Sequence, residues 1–279
     1  IHTVGRAPEG PYLVTELAER APLVERVRRG PLDAREAARV VRDLADAVGA
    51  LHAVGVLHRD LKPHNVMVRP DGAPVLLDFG VARDATTRER LTRTGVVLGT
   101  PAYMAPEQAD GAPSTELDER VDVYGLGAVL FELLAGRAPF DDATSGPALL
   151  KRVLLDDPRW PSTTNPAVPT ELEAVVRVAM AKDRGARYRR AAELKDDLDR
   201  WLRGERPIAA GRVSAARRRR TATRAAVTAA IALVVGGAVA ALDRHARPLP
   251  GEAAPTTSLR RPDRARVTGP TAPIGEDGS

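Results

Sequence analysis

The sequence predicts an α+β fold that is mostly helical and is closed toward its C-terminus by one membrane-spanning helix. Three observations carry this expectation. Strand-like runs are few and short, and all of them precede Asp78. Beyond them, apolar residues recur at helical spacing or fill long runs. From 225 to 242 (AAVTAAIALVVGGAVAAL) eighteen residues pass without a charge, a length that can cross a bilayer core.

In chain order, Pro11 to Leu17 (PYLVTEL) is a short run with β-formers behind a Gly-Pro turn and reads as a strand. Leu32 to His52 places Leu, Ala and Val at helical spacing, with Asp33 as N-cap and Glu36 as its capping-box partner. The runs 66–68 (VMV) and 74–77 (PVLL) flank Asp71-Gly72 and read as a hairpin. A polar loop rich in Thr and Arg follows from Asp84 to Thr94, and then a helical region with apolar runs at Val121–Leu134 and Leu172–Met180. The end of the chain, 248–279, is rich in Pro, Gly, Thr and Arg and lacks the large apolar residues needed to fold by itself.

At 279 residues and 43% apolar content the chain can bury a substantial core. Its net charge of +5 would suit a nucleic-acid binder if it were spread over the fold. It is not: residues 1–205 carry 29 Lys and Arg against 32 Asp and Glu, a net of −3, whereas 206–279 carry 13 against 5, a net of +8. The basic character belongs to the tail, and no nucleic-acid partner is expected. With no cysteine, disulfides, thiolate metal sites and Cys nucleophiles are excluded. The N-terminus IHTVGRAPEG has no basic n-region or apolar h-region of a signal peptide, and it starts with Ile, so the chain reads as truncated.

The chemistry sits around the hairpin. His58-Arg59-Asp60-Leu61-Lys62-Pro63-His64-Asn65 fits H-R-D-L-x-x-x-N, Asp78-Phe79-Gly80 supplies D-F-G, and Ala105-Pro106-Glu107 supplies A-P-E. Any one tripeptide is weak, but eleven specified positions in order, with a hairpin between the first two motifs, are specific. Over roughly residues 1 to 203 the chain resembles the protein kinase family, and within it the eukaryotic-like Ser/Thr kinases of bacteria. The resemblance implies a protein-kinase-like fold represented by the helical C-lobe and only the last strands of the N-lobe.

It also implies roles. Phosphoryl transfer passes through a loose transition state, so the protein mainly positions groups and neutralises phosphate charge. Asp60 would take or orient the proton of the substrate hydroxyl, and Lys62 would face the γ-phosphate of ATP. Asn65 and Asp78 would hold Mg²⁺ through hard oxygen atoms. Thr15 would stand at the gatekeeper position, the backbone of Glu16 and Ala18 would meet adenine, and Met67 would floor that pocket. Between D-F-G and A-P-E lie Thr86, Thr87, Thr92 and Thr94, where a phosphate could pair with Arg59 and order the segment. Gly99-Thr100-Pro101-Ala102-Tyr103 resembles the substrate-docking loop, with Thr100 near Asp60 and Lys62, which favours Ser/Thr acceptors. Asp122 resembles the aspartate that holds the catalytic-loop backbone, and Arg187 the arginine that pairs with Glu107. His58 and Phe79 read as core residues rather than catalysts.

A working kinase also needs a Gly-rich loop, a strand lysine and a helix glutamate, and none is found here; the four lysines are Lys62, Lys151, Lys182 and Lys195. The chain as it stands is therefore not expected to catalyse efficiently, and two readings stay open. One is a membrane-anchored Ser/Thr kinase that uses ATP and Mg²⁺ on protein substrates and on itself, with dimerisation as the route to autophosphorylation. The other is a membrane-tethered docking scaffold. Seven arginines in 205–224 against four in 243–262 put the N-terminal side in the cytoplasm and the tail outside the cell membrane. The expected organisation is a partial kinase domain over 1–203, a basic juxtamembrane linker over 204–224, a transmembrane helix over 225–242 and a disordered Pro-rich tail over 243–279.

Overall fold

A computed structural model of the chain describes residues 3–7, 10–14, 21–77, 101–143 and 145–246, without the side chains of 3–14, 220, 224–226, 229, 233 and 237–246. Strand β1 (Thr3–Ala7) pairs antiparallel with β2 (Gly10–Val14), Gly5 opposite Tyr12. The expected strand at Pro11 to Leu17 is thus β2, begun one residue earlier; β1 was not foreseen, and 15–20 lie outside the described residues. A second sheet has the order β3 (Ala21–Pro22), β4 (Val66–Val68), β5 (Pro74–Leu76), all antiparallel. The β4–β5 hairpin closes as the sequence suggests. Gly72 takes the left-handed backbone at φ +87° that a side chain would resist, and Asp71 Oδ1 accepts the Ala73 N–H at 2.9 Å.

The helices follow: α1 (Leu23–Arg28), α2 (Ala34–Ala53), the short α3 (Pro106–Ala109), α4 (Arg120–Ala135), α5 (Gly146–Leu155), α6 (Thr170–Ala179), α7 (Ala191–Leu202) and α8 (Ile208–Ala246). Asp33 caps α2 as expected, its Oδ1 accepting from Arg35 N at 2.9 Å and Glu36 N at 3.2 Å. The Glu36 carboxylate pairs with Arg26.

The core forms because α4 is apolar all round. Every residue from Val121 to Leu134 is buried, so this helix runs through the middle of its unit. Leu44 and Val48 of α2, Leu172 and Val176 of α6, and Leu194 and Leu198 of α7 are buried in the same cluster. Each such side chain contributes roughly 1.5–3 kcal/mol on leaving water. The helix ends where Gly136 turns left-handed at φ +71° and its N–H reaches Glu132 O at 2.8 Å.

The chain divides into two compact units, 1–222 and 223–279. The stretch 225–242 is helical, as part of α8, but among the described residues no helix is long and apolar enough to cross a membrane. The expected transmembrane helix therefore gains no support from the structure. Eight alanines and two glycines give that stretch length with little apolar area per residue.

Candidate active site

The loop between α2 and β4 carries Asp60, Lys62 and Asn65. It lies directly on α4 because Gly125 has no side chain: a Cβ there would stand 2.8 Å from Leu61 Cβ. The buried carboxylate of Asp122, at the start of α4, then fixes the loop backbone. Its Oδ2 accepts the His58 N–H at 2.8 Å, and its Oδ1 accepts the Arg59 N–H at 2.7 Å. His52 Nε2, at 2.8 Å, donates to the same Oδ2. Asp122 thus does what the resemblance implies, and His52 is a partner the sequence reading missed. Its only signal was a histidine in the last turn of a helix leading into His58.

Asp60 is the convergence point. Lys62 Nζ lies 2.9 Å from Asp60 Oδ2, both side chains less than one-fifth exposed. Asn65, 7% exposed, donates Nδ2 to the Asp60 carbonyl at 2.8 Å and to Oδ2 at 3.1 Å. Three of the four residues expected to do chemistry are therefore within hydrogen-bond reach of one another. Both partners donate to the same carboxylate oxygen, Oδ2. Beside them the exposed His64 is held below its ordinary pKa by partial burial of the ring and by the cations Lys62 and Arg28, with Asp60 acting in the opposite sense.

The fourth residue, Asp78, lies outside the described residues. Its neighbour Leu77 does not. The Leu77 N–H donates to Asn65 O at 2.8 Å, and the Leu77 carbonyl is 3.0 Å from His58 Nε2. His58 Nδ1 accepts the Asp60 N–H at 3.3 Å, which leaves the ring proton on Nε2, as donor to Leu77. His58 is fully buried and acts as a strut between the loop and the end of β5, in keeping with its reading as a core residue. The Asn65 amide suits a hard divalent cation: it engages Asp60 through nitrogen, which leaves its Oδ1 free to act as an oxygen ligand. Among the described residues no three His, Cys, Asp or Glu gather as a metal site.

Met67 is half-buried on β4, between Pro22 and Val75 across the sheet. Thr15, Glu16 and Ala18, the Phe79-Gly80 pair, Thr86, Thr87, Thr92, Thr94, and Gly99 with Thr100 all lie outside the described residues.

The A-P-E segment is tied down from two sides. Arg187, fully buried, grips Glu107 with two bonds, Nη1 to Oε1 at 2.7 Å and Nη2 to Oε2 at 2.8 Å, as the sequence implied. Gln108, which the sequence reading passed over, donates Nε2 to the Arg59 carbonyl at 3.0 Å. Ahead of them the buried Tyr103 donates its hydroxyl to Glu132 of α4 and so holds the described end of the docking loop.

This geometry can be set beside known proteins. The protein kinase domain family matches residues 2–196. The chain is 39% identical over 215 residues to serine/threonine-protein kinase PknB of Mycolicibacterium smegmatis, covering 75% of this chain and 34% of that protein. It is 36% identical over 202 residues to serine/threonine-protein kinase PrkC of Bacillus subtilis, covering 71% and 30%. Against serine/threonine-protein kinase Pkn1 of Myxococcus xanthus the identity is 40% over 202 residues, covering 71% and 28%. The chain spans about a third of the length of these curated relatives. The ordered motifs, the clamped loop around Asp60 and a match over residues 2–196 lead to one conclusion: this chain belongs to the protein kinase domain family.

Proposed function

We propose that the protein carrying this chain transfers the γ-phosphoryl group of ATP to Ser or Thr hydroxyls of proteins. The observation that carries the proposal is the convergence of Lys62 Nζ and Asn65 Nδ2 on one oxygen of the Asp60 carboxylate, at 2.9 and 3.1 Å. Asp60 accepts the proton of the attacking hydroxyl as its oxygen bonds to phosphorus and the bond to the ADP oxygen breaks. The Lys62 ammonium offsets charge on the transferred group, and Asn65 holds the Asp60 carboxylate in line. A divalent cation, which we take as Mg²⁺, would be held by Asn65 and Asp78 and would neutralise phosphate charge when bound. Met67, Glu16 and Ala18 form the adenine contact in this reading. Ser/Thr acceptors are supported by the relatives, which are serine/threonine-protein kinases by name, and autophosphorylation between two copies is the route by which the threonines before A-P-E would be modified.

The deciding experiment is Asp60→Asn in the protein expressed from its own gene, assayed with radiolabelled ATP, Mg²⁺ and a Ser/Thr-containing acceptor protein. Transfer should fall by roughly 10²–10⁴-fold with ATP affinity retained. Equal transfer by D60N, or none by either form, overturns the kinase reading and leaves a docking scaffold in its place.

We further propose that the protein is a single-pass membrane protein with the kinase portion in the cytoplasm and the tail outside. Support comes from the arginine bias across 225–242 and from the exposure of Val227, Ile231, Val234 and Val235 on α8, all more than half exposed. Recovery of the protein in the soluble fraction after cell lysis at high salt overturns this placement; retention until detergent is added supports it.

A further inference from the structure

Arg59 has a left-handed backbone, φ +64°, in a residue with a full side chain. Such a conformation is unfavourable for a residue with a Cβ and persists only where neighbours over-determine it. It also sets the plane of the peptide that joins Arg59 to Asp60, so whatever holds that peptide aims the Asp60 carboxylate. The N–H of Arg59 is held by Asp122. Its carbonyl is held from the other side of the site by Gln108, across 49 residues of sequence.

The orientation of the Gln108 amide follows from its two partners. Its oxygen accepts the Ala105 N–H at 3.0 Å, the orphan donor ahead of α3, so its nitrogen is the atom facing the Arg59 carbonyl, also at 3.0 Å. One side chain therefore does two separable things. The oxygen caps α3; the nitrogen locks the strained peptide before Asp60. Glu107, the preceding residue, is pinned by Arg187, so the base of Gln108 cannot drift.

We infer that Gln108 is a positioning residue for Asp60: it holds the Arg59 carbonyl and thereby fixes the carboxylate that takes the acceptor proton. The inference rests on the proposed kinase reading for its effect on rate, and on the geometry alone for its effect on the loop.

The two roles of Gln108 come apart in Gln108→Glu. A carboxylate still accepts the Ala105 N–H and still caps α3, but it presents an acceptor to the Arg59 carbonyl where a donor is required. Two readouts are used. In this chain without ATP, amide hydrogen exchange at Asp60 should be at least about tenfold faster in Q108E than in wild type, with thermal stability retained. In the protein expressed from its own gene, kcat should fall by about ten- to a hundredfold with KM for ATP unchanged, because misaiming by a fraction of an ångström is felt in the chemical step. Gln108→Leu loses both bonds and should lower stability as well. Unchanged Asp60 exchange and unchanged kcat in Q108E, with D60N inactive, overturn the inference and leave Gln108 as a helix cap. If D60N is as active as wild type, it is the kinase reading that fails, and faster Asp60 exchange in Q108E still upholds the contact.

Discussion

Single buried charges decide much of this site, and each is acceptable only because of what it touches. Arg187 is fully buried, yet its guanidinium meets both oxygens of Glu107 and the carbonyls of Ala181, Arg120 and Lys182, and lies 5.1 Å from the centre of the Tyr124 ring. Glu132 is held less completely. Burial raises its pKa, and the hydrogen bond from Tyr103 only partly opposes this. A carboxyl whose native pKa is raised binds its proton more tightly when folded than when unfolded. Its penalty is absent below the ordinary value of 4.5, grows as pH rises from there to the raised native value, and is complete above it. Glu132→Gln keeps an acceptor for the Tyr103 hydroxyl and removes the titration. In thermal unfolding across this range the wild type should lose stability relative to E132Q as pH rises from 4.5. Parallel curves for the two proteins would show that Glu132 is not buried as a charge.

Helix α4 contains two glycines at the points where its neighbours come closest, and each glycine weakens a helix interior by about 1 kcal/mol relative to alanine. The loss is accepted for contact. A Cβ on Gly127 would lie 2.6 Å from Ala179 Cβ and 3.0 Å from Met180 Cγ, at the end of α6. Gly127→Ala should therefore cost about 1–3 kcal/mol in urea unfolding, because α4 and α6 must separate to admit one methyl group. Gly49 is the internal control: it is also helical, in α2, but a Cβ there meets nothing within 4 Å, so Gly49→Ala should stabilise by about 0.5–1 kcal/mol. Equal effects at the two positions would contradict the packing described. The sequence made α4 legible, since a run from Val121 to Leu134 interrupted by only two carboxylates, Asp122 and Glu132, has no other place than the interior. The loop around Asp60 was legible because its chemistry demands fixed letters at fixed spacing. What could not be read were contacts between distant segments in which no letter is special: His52 on Asp122, 70 residues apart, and Gln108 on Arg59, 49 apart. Such pairings depend on how helices pack, which periodicity does not encode. Strand β1 was missed for a related reason, as Thr3–Ala7 contains glycine and arginine and is a strand only through its pairing with β2.

Charge is unevenly distributed over the whole chain, and the boundary is built around one carboxylate. Residues 1–205 carry a net −3 and 206–279 a net +8, with no acidic residue from Arg206 to Leu242. At the join, Asp197 of α7 is 1% exposed. Its Oδ1 accepts the Ile208 N–H at 2.7 Å, and its Oδ2 accepts the Ala209 N–H at 2.8 Å and the Tyr188 hydroxyl at 2.9 Å. Two of the orphan donors that open α8 are thus satisfied from inside the lobe, and the negative charge faces the positive end of that helix. Ala209 and Ala210 are buried, and Arg212 lies 5.7 Å from the centre of the Tyr188 ring, so the first turn of α8 belongs to the core of the first unit. Asp197→Ala leaves three donors, two of them in buried hydrogen bonds, without their acceptor and should cost about 2–4 kcal/mol. It should also speed tryptic cleavage after Arg212 while sites on α7 stay protected. Asp197→Asn keeps one acceptor oxygen and should cost about half as much, whereas the exposed Asp196→Ala should stay within about 0.5 kcal/mol of wild type. If D197A unfolds with wild-type stability and is cut at Arg212 no faster, then α8 is not anchored through Asp197, and the basic segment 212–220 moves independently of the lobe that carries Asp60.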